Sequence, residues 1–346
     1  MKLQIRINGT APAWPTMLGQ SGKFYNISNT EELGSASYSI LSNTPENTCT
    51  RELLIDAGHN TVPFLLQHGN RMPDAIALTH GHPDHILGVD WIIQSHRFGH
   101  AKADRYPVYC TRGTWGCLMN SYTHIKPWVD FRELIPGKQM RIHEFEELFI
   151  TAFPVYHGDG APGSSMLLIE SGRPDQGSVL FTGDMLCPLL RKKDLKTISG
   201  ATKLFIDTNN RFPDPLSNHI SFTPYAPGSG KESELLTAWF RESNPGRLLK
   251  PHTDPGDIIS DPYFNEFLSD YDQVSELPHS ILDFCKLSGI PEVFLIHYFG
   301  WYDQRNYSQQ VLTREQLFEW ATREAGDYTI KDIIFRIPVA GEIINF

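Results

Sequence analysis

Residues 2–9 alternate apolar Leu3, Ile5 and Ile7 with polar Gln4, Arg6 and Asn8, which predicts a strand with one buried face. Further β-rich runs stand at 37–41, 52–56, 75–79, 148–153, 166–170, 179–182, 204–207 and 293–296. Between them, apolar residues at three-to-four spacing predict helices over 62–67, 85–96, 114–122, 232–241, 280–287 and 313–325. Strands alternating with helices indicate an α/β layered fold. With no fixed-period repeat and no Gly/Ser linker, residues 1–346 are expected to form one domain with surface insertions around 96–140 and 186–280. The stretches 212–228 and 250–271 look like long excursions, of the kind that serve as lids or dimer contacts.

With 40% hydrophobic and 20% charged residues, a chain of 346 residues can bury a full core without disulfide or metal staples. Thirty basic against forty acidic residues give a net charge of −10, which repels a long polyanion. A small substrate is therefore expected, and extended nucleic acid is not. The one basic cluster, Arg191, Lys192, Lys193 and Lys196, is interrupted by Asp194 and reads as a solvated face. Apolar runs such as 76–78 and 293–296 are too short to cross a bilayer, so no membrane partner is expected. The N-terminal stretch has no leader pattern, and five cysteines without a Cys-x-x-Cys pair read as reduced thiols in the cytoplasm. Cys187, close to Asp184, reads as a packing residue.

The segment after the run at 75–79 changes the picture, because His80, His82, Asp84 and His85 crowd into six positions. In a near-extended loop, residues two apart point the same way, so His80 and His82 can grip one ion while Asp84 and His85 face a neighbouring position. Imidazole and carboxylate are the usual ligands of catalytic zinc.

Together with elements further along, this segment resembles the metallo-β-lactamase superfamily over about residues 53–302. The Leu-Leu-Ile-Asp-Ala-Gly stretch ending in Asp56 and Gly58 is similar to the first motif, in which the aspartate supports the metal loop. His157 after Phe-Pro-Val-Tyr, Asp184 after Leu-Phe-Thr-Gly and His297 after Val-Phe-Leu-Ile resemble the third, fourth and fifth motifs. The resemblance implies a four-layer αβ/βα sandwich. It implies one metal held by His80, His82 and His157, a second by Asp84, His85 and His297, and Asp184 bridging the two. The ions implied are two divalent metals, zinc first, with manganese or iron compatible. A homodimer is common in this fold.

Three features resemble the phosphodiesterase branch, which includes tRNA 3′-processing endonucleases and cyclic ribose phosphodiesterases. His297 is followed by an aromatic, Arg- and Tyr-containing ending, although Gly300 stands where that branch has serine. Asp207 on its strand and the later His219 resemble an acidic residue and a histidine that act near the leaving group. Neither a leader nor a flavodoxin-like domain is expected from the sequence. The expected activity is a two-metal hydrolase of phosphoric esters on a small, nucleotide-like substrate. A metal-bridging hydroxide would attack, Asp84 would orient it and His219 would act as acid with Asp207 behind it. The alternatives are a thioester or lactone hydrolase of the same fold and a non-catalytic metal carrier. His59, His124 and His252 read as structural, and Trp301 and Tyr302 as core aromatics.

Overall fold

The computed structural model describes residues 2–13, 32–44, 48–99, 104–158, 160–173, 176–211, 218–224, 278, 280–298, 313–330 and 332–346. The segment 232–241 and residues His252, Gly300, Trp301 and Tyr302 lie outside them.

The first half of the chain runs β1 (Lys2–Gly9), β2 (Ser37–Asn43), β3 (Cys49–Ile55), α1 (Thr61–Gln67), β4 (Ala75–Ala77), α2 (Pro83–Ile86), α3 (Val89–Gly99), β5 (Tyr106–Cys110), α4 (Arg112–Ser121) and β6 (Val129–Glu133). The second half runs β7 (Met140–Arg141), β8 (Leu148–Tyr156), β9 (Ser165–Ser171), β10 (Ser178–Phe181), β11 (Cys187–Pro188), α5 (Lys192–Ile198), β12 (Lys203–Asp207), α6 (Ile281–Ser288), β13 (Glu292–Ile296), α7 (Arg314–Asp327), β14 (Ile334–Arg336) and β15 (Ile343–Asn345).

These strands form two mixed sheets, ordered β15-β1-β2-β3-β4-β5-β6 and β11-β8-β9-β10-β12-β13-β14, with β7 paired to β8. Each sheet follows the same rule. In the first, pairing is antiparallel as far as β3 and parallel beyond it. In the second, it is antiparallel as far as β10 and parallel beyond it.

Side-chain alternation along the parallel strands makes the layers. Leu53 and Ile55 of β3 and Ala75 and Ala77 of β4 point into a core shared with Phe181, Phe205, Phe294 and Ile296 of the second sheet. Leu54 and Ile76 point the other way, onto Val62, Leu65, Ile86, Val89, Ile92 and Leu118 of the covering helices. In the second sheet Leu204, Ile206, Val293 and Leu295 pack on Ile281, Phe284, Leu317 and Trp320 of α6 and α7. The result is the expected four-layer α/β sandwich. Between the sheets Phe205 stacks on Phe294 at 4.4 Å and on Phe181 at 5.0 Å, with Tyr38 tilted against Phe181 at 4.8 Å.

The helix expected over 85–96 is two helices. Gly88 breaks it by donating its N–H to Ala57 O at 2.6 Å, and a Cβ there would lie 3.0 Å from that same oxygen. The close approach locks α2 to the turn that follows β3. The stretch around 96–140 contributes β5 and β6 to the parallel part of the first sheet, with α4 between them. The helix N-termini carry the capping chemistry their sequences suggest. Ser280 accepts from Asp283 N at 3.0 Å, and Thr313 and Gln316 cap α7 reciprocally. Among the described residues, no helix is long and apolar enough to cross a membrane. All five cysteines are free thiols, and burial pushes Cys187 up to about 12, as befits a packing residue.

Candidate metal centre

Parallel strands leave their carboxyl ends on one rim, and the points where pairing switches from antiparallel to parallel open crevices there. Both switch strands feed the centre. Beyond β3 the chain turns through Asp56 at φ 55°, beyond β10 through Gly183 at φ 57°, and beyond β13 through His297 at φ 55°. A left-handed conformation at a non-glycine residue costs about 1–2 kcal/mol, and here it aims Asp56 and His297 back at the rim. Gly183 meets a further constraint, since a Cβ would lie 2.6 Å from Thr79 Cβ and Oγ1.

The buried Asp56 carboxylate organises the loop after β4. Its Oδ1 accepts from Thr79 N at 2.8 Å, and its Oδ2 accepts from Thr79 Oγ1 at 2.7 Å and from His85 Nδ1 at 2.8 Å. Since a carboxylate can only accept, His85 carries its proton on Nδ1 and turns Nε2 toward the rim. Thr79 also contacts His80 Nδ1 at 3.1 Å and receives Ser165 N on its carbonyl at 2.9 Å, joining the two sheets at this point. Gly81 lies so close to α4 that a Cβ would sit 2.3 Å from Cys117 Cβ.

The structure brings all seven expected donors together. His80, His82 and His157 form one group; Asp84, His85, Asp184 and His297 form another, and in each the donor atoms lie within 4.8 Å of one another. His82 Nδ1 stands 3.1 Å from His157 Nε2. His85 Nε2 is 3.4 Å from Asp84 Oδ2 and 3.3 Å from Asp184 Oδ1, and His297 Nε2 is 3.3 Å from Asp84 Oδ2 and 3.2 Å from Asp184 Oδ2. Asp184 Oδ2 also lies 3.7 Å from His157 Nε2 and 3.9 Å from His80 Nε2, so one carboxylate touches both groups.

These spacings test whether the residues fit a metal. Tetrahedral ligands at zinc distances stand about 3.3–3.5 Å apart, and these contacts, from 3.1 to 3.9 Å, bracket that range. His80 Nε2, His85 Nε2 and Asp184 Oδ1 are buried with no hydrogen-bond partner, a costly state for a polar atom unless a cation faces it. Imidazole and carboxylate in this mixture suit a divalent ion, so the donor set fits.

Electrostatics separates the two groups. Burial lowers His80 and His82 and takes His157 down to about 3, so the first group is neutral imidazole at neutral pH. His85 and His297 behave oppositely. Against the effect of burial, Asp184, Asp84 and Asp56 raise His85, and Asp184 with the Asp207 and Asp84 contacts raises His297 to about 10. In turn His85 and His297 hold Asp84 and Asp184 well below the usual carboxylate range despite their burial.

Asp207 and His219 adjoin the centre. His219 Nδ1 is 2.6 Å from Asp207 Oδ2, and its ring lies 4.9 Å from that of His157 and stacks on His297 at 5.3 Å. Of the remaining histidines, His124 pairs with Asp90 at 2.8 Å on an exposed surface, and His59 belongs to neither donor group. Two supporting residues have no signature of their own in the sequence. Thr79 earns its place by its two bonds to Asp56, and Asn218 offers its carbonyl to His157 Nδ1 at 3.0 Å.

The model of the metallo-beta-lactamase superfamily matches residues 46–211, which include Asp56, the His80–His85 loop, His157, Asp184 and Asp207. No curated protein sequence matches the chain. Among solved structures, the chain is similar to a diphosphatase of the PhnP family, with a TM-score of 0.60 and 14% identity over 100% of this chain and 98% of that one. It is also similar to the metallo-beta-lactamase fold protein YhfI from Bacillus subtilis, with a TM-score of 0.56 and 12% identity over 100% of both chains. The human short-form tRNase Z aligns with a TM-score of 0.50 and 12% identity over 99% of this chain and 98% of that one. At such identities the likeness is one of fold, and that fold agrees with the match of residues 46–211 to the metallo-beta-lactamase superfamily model.

Proposed function

We propose that this chain is a two-metal hydrolase of phosphoric esters acting on a small, nucleotide-like substrate. His80, His82 and His157 would hold one divalent ion and Asp84, His85 and His297 the other, with Asp184 shared. Zinc is the metal we assign from the donor set. Divalent ions in such a site supply Lewis acidity, acidifying water and drawing charge from phosphoryl oxygens.

The observation that carries the phosphoester reading is the His219–Asp207 pair at 2.6 Å, standing against the rings of His157 and His297. An alkoxide leaving group needs a proton, whereas a thiolate does not, so a positioned imidazole acid favours phosphoester over thioester chemistry. Asp207 fixes the proton on His219 Nδ1, which makes Nε2 the atom that would deliver a proton to the departing oxygen. Asp84, whose Oδ2 is within 3.4 Å of both His85 and His297, would orient the attacking water, and Asp56 holds His85 in the required tautomer. The diphosphatase and tRNase Z names among the similar structures agree with this chemistry. A net charge of −10 favours a small substrate over extended nucleic acid. Five free thiols fit a reducing cytoplasm, and the core shared by both sheets fits one domain.

Purified, zinc-supplied protein is to be assayed on bis-p-nitrophenyl phosphate beside thioester and lactone substrates. Phosphodiester turnover is expected, falling about 10²–10⁴-fold in His219→Ala with zinc content retained. Turnover of thioesters or lactones alone would overturn the reading, and full zinc occupancy without any turnover would point to a carrier.

A further inference from the structure

Asp184, Asp207, His219 and His297 form a third group of mutually close donor atoms, overlapping the second. Its spacings are of a different kind. His219 Nδ1 and Asp207 Oδ2 are 2.6 Å apart, a charge-assisted hydrogen-bond length and well below a ligand-to-ligand edge. Asp207 also accepts from two backbone groups, Asn209 N on Oδ1 at 3.0 Å and Met185 N on Oδ2 at 3.3 Å. Another neighbour is His297, whose Nδ1 faces Oδ1 at 3.4 Å as a charge contact not aligned as a hydrogen bond. Asp207 itself is fully buried at the end of β12. Its N–H donates to Thr182 Oγ1 at 3.1 Å, tying it to the strand that carries Asp184.

We propose that Asp207 is a shared positioning carboxylate: it orients His219 through Nδ1, His297 through Nδ1, and Asp184 through the N–H of the following Met185. Acid and second metal site are thereby set by one side chain. A metal-binding histidine generally gives its second ring nitrogen to a carboxylate that fixes its orientation, and His297 receives that support from the same group that holds His219. The His219 arm rests on the phosphoester reading above, whereas the His297 arm does not.

The test compares Asp207→Asn with His219→Ala in full-length protein. Zinc binding is followed by chelator competition, and aryl phosphodiester hydrolysis is followed across leaving groups of different pKa. In Asp207→Asn one of the two zinc ions, the one held by His297, should bind about 10-fold to 100-fold less tightly, with the other little changed. Its rate should also fall more steeply with poorer leaving groups. His219→Ala should share that steeper dependence and keep both zinc affinities. If Asp207→Asn binds both ions like the wild type, or if His219→Ala loses zinc to the same extent, the shared role is refuted. Should Asp207→Asn not fold, the histidine nitrogen spectrum of the wild-type zinc-loaded protein decides. Both His219 and His297 are expected to carry a proton on Nδ1, whether or not His219 is also protonated on Nε2, and absence of the Nδ1 proton from either ring refutes the proposal. Should no phosphodiester be hydrolysed at all, the phosphoester reading fails, while zinc affinity and the nitrogen spectrum still decide the role of Asp207.

Discussion

Replacing Asp56 probes how far the centre depends on a residue that binds no metal in the arrangement described. Its two oxygens accept three hydrogen bonds, from Thr79 N, Thr79 Oγ1 and His85 Nδ1. Asparagine keeps the shape and tolerates the φ of 55°. It has one oxygen, however, so in either orientation its amide nitrogen confronts an N–H donor. One buried donor is left without a partner, which costs about 1–3 kcal/mol of stability. Released from its carboxylate, His85 should also bind zinc about 10-fold to 100-fold more weakly. In Asp56→Ala all three bonds go, and the left-handed backbone adds about 1–2 kcal/mol. The alanine variant must therefore lose more than the asparagine variant. Urea unfolding of the metal-free proteins measures the first effect and chelator competition the second. Wild-type stability and zinc affinity in both variants, or a milder loss in alanine than in asparagine, would refute the reasoning.

Three further outcomes follow from the charges and the packing. His85 and His297 have raised pKa values, the latter to about 10, so the metal-free protein holds these rings protonated at pH 7 and zinc must displace those protons. Zinc affinity should thus rise with pH from 6 to 9, and calorimetry in buffers of different ionisation enthalpy should detect proton release; none released would contradict the assignment. For stability the sign is reversed. Raised histidines stabilise the metal-free fold fully below about pH 6.5, and that contribution is lost as pH climbs through their folded values. Unfolding midpoints without metal should therefore fall between pH 7 and 10. Gly183→Ala combines a left-handed φ with a Cβ 2.6 Å from Thr79, and should cost about 1–3 kcal/mol and weaken zinc binding by shifting Asp184; a thermal midpoint and zinc affinity like the wild type would count against that packing.

Much of this architecture is legible in the sequence because burial writes a pattern. Runs such as Leu204 to Asp207 and Val293 to Ile296 are buried on both faces of a parallel sheet and read as continuous apolar strands. Donors at the ends of such runs, Asp184, Asp207 and His297, can be picked out for the same reason. Less legible were β5, which carries Pro107, and the edge strand β6, where Asp130 and Arg132 break the apolar signal. The three-residue strands β14 and β15 are too short to show periodicity. The split between α2 and α3 depends on the Gly88 contact with Ala57, a tertiary event with no local signature beyond a glycine. The pairing of His219 with Asp207 was legible only through the resemblance to the phosphodiesterase branch, because twelve residues of sequence separation say nothing of a 2.6 Å contact.

The repeated pairing rule has one more consequence. Asp56, His80, His82, Asp84 and His85 all come from the half of the chain before β7, and His157, Asp184, Asp207, His219 and His297 all come from the half after it. Each half thus carries a partial set of donors, and only their face-to-face apposition completes it. Co-expressed as two fragments divided near Gly137, the halves should regain zinc affinity only on recombining, so that metal capture reports the reunion of the sandwich.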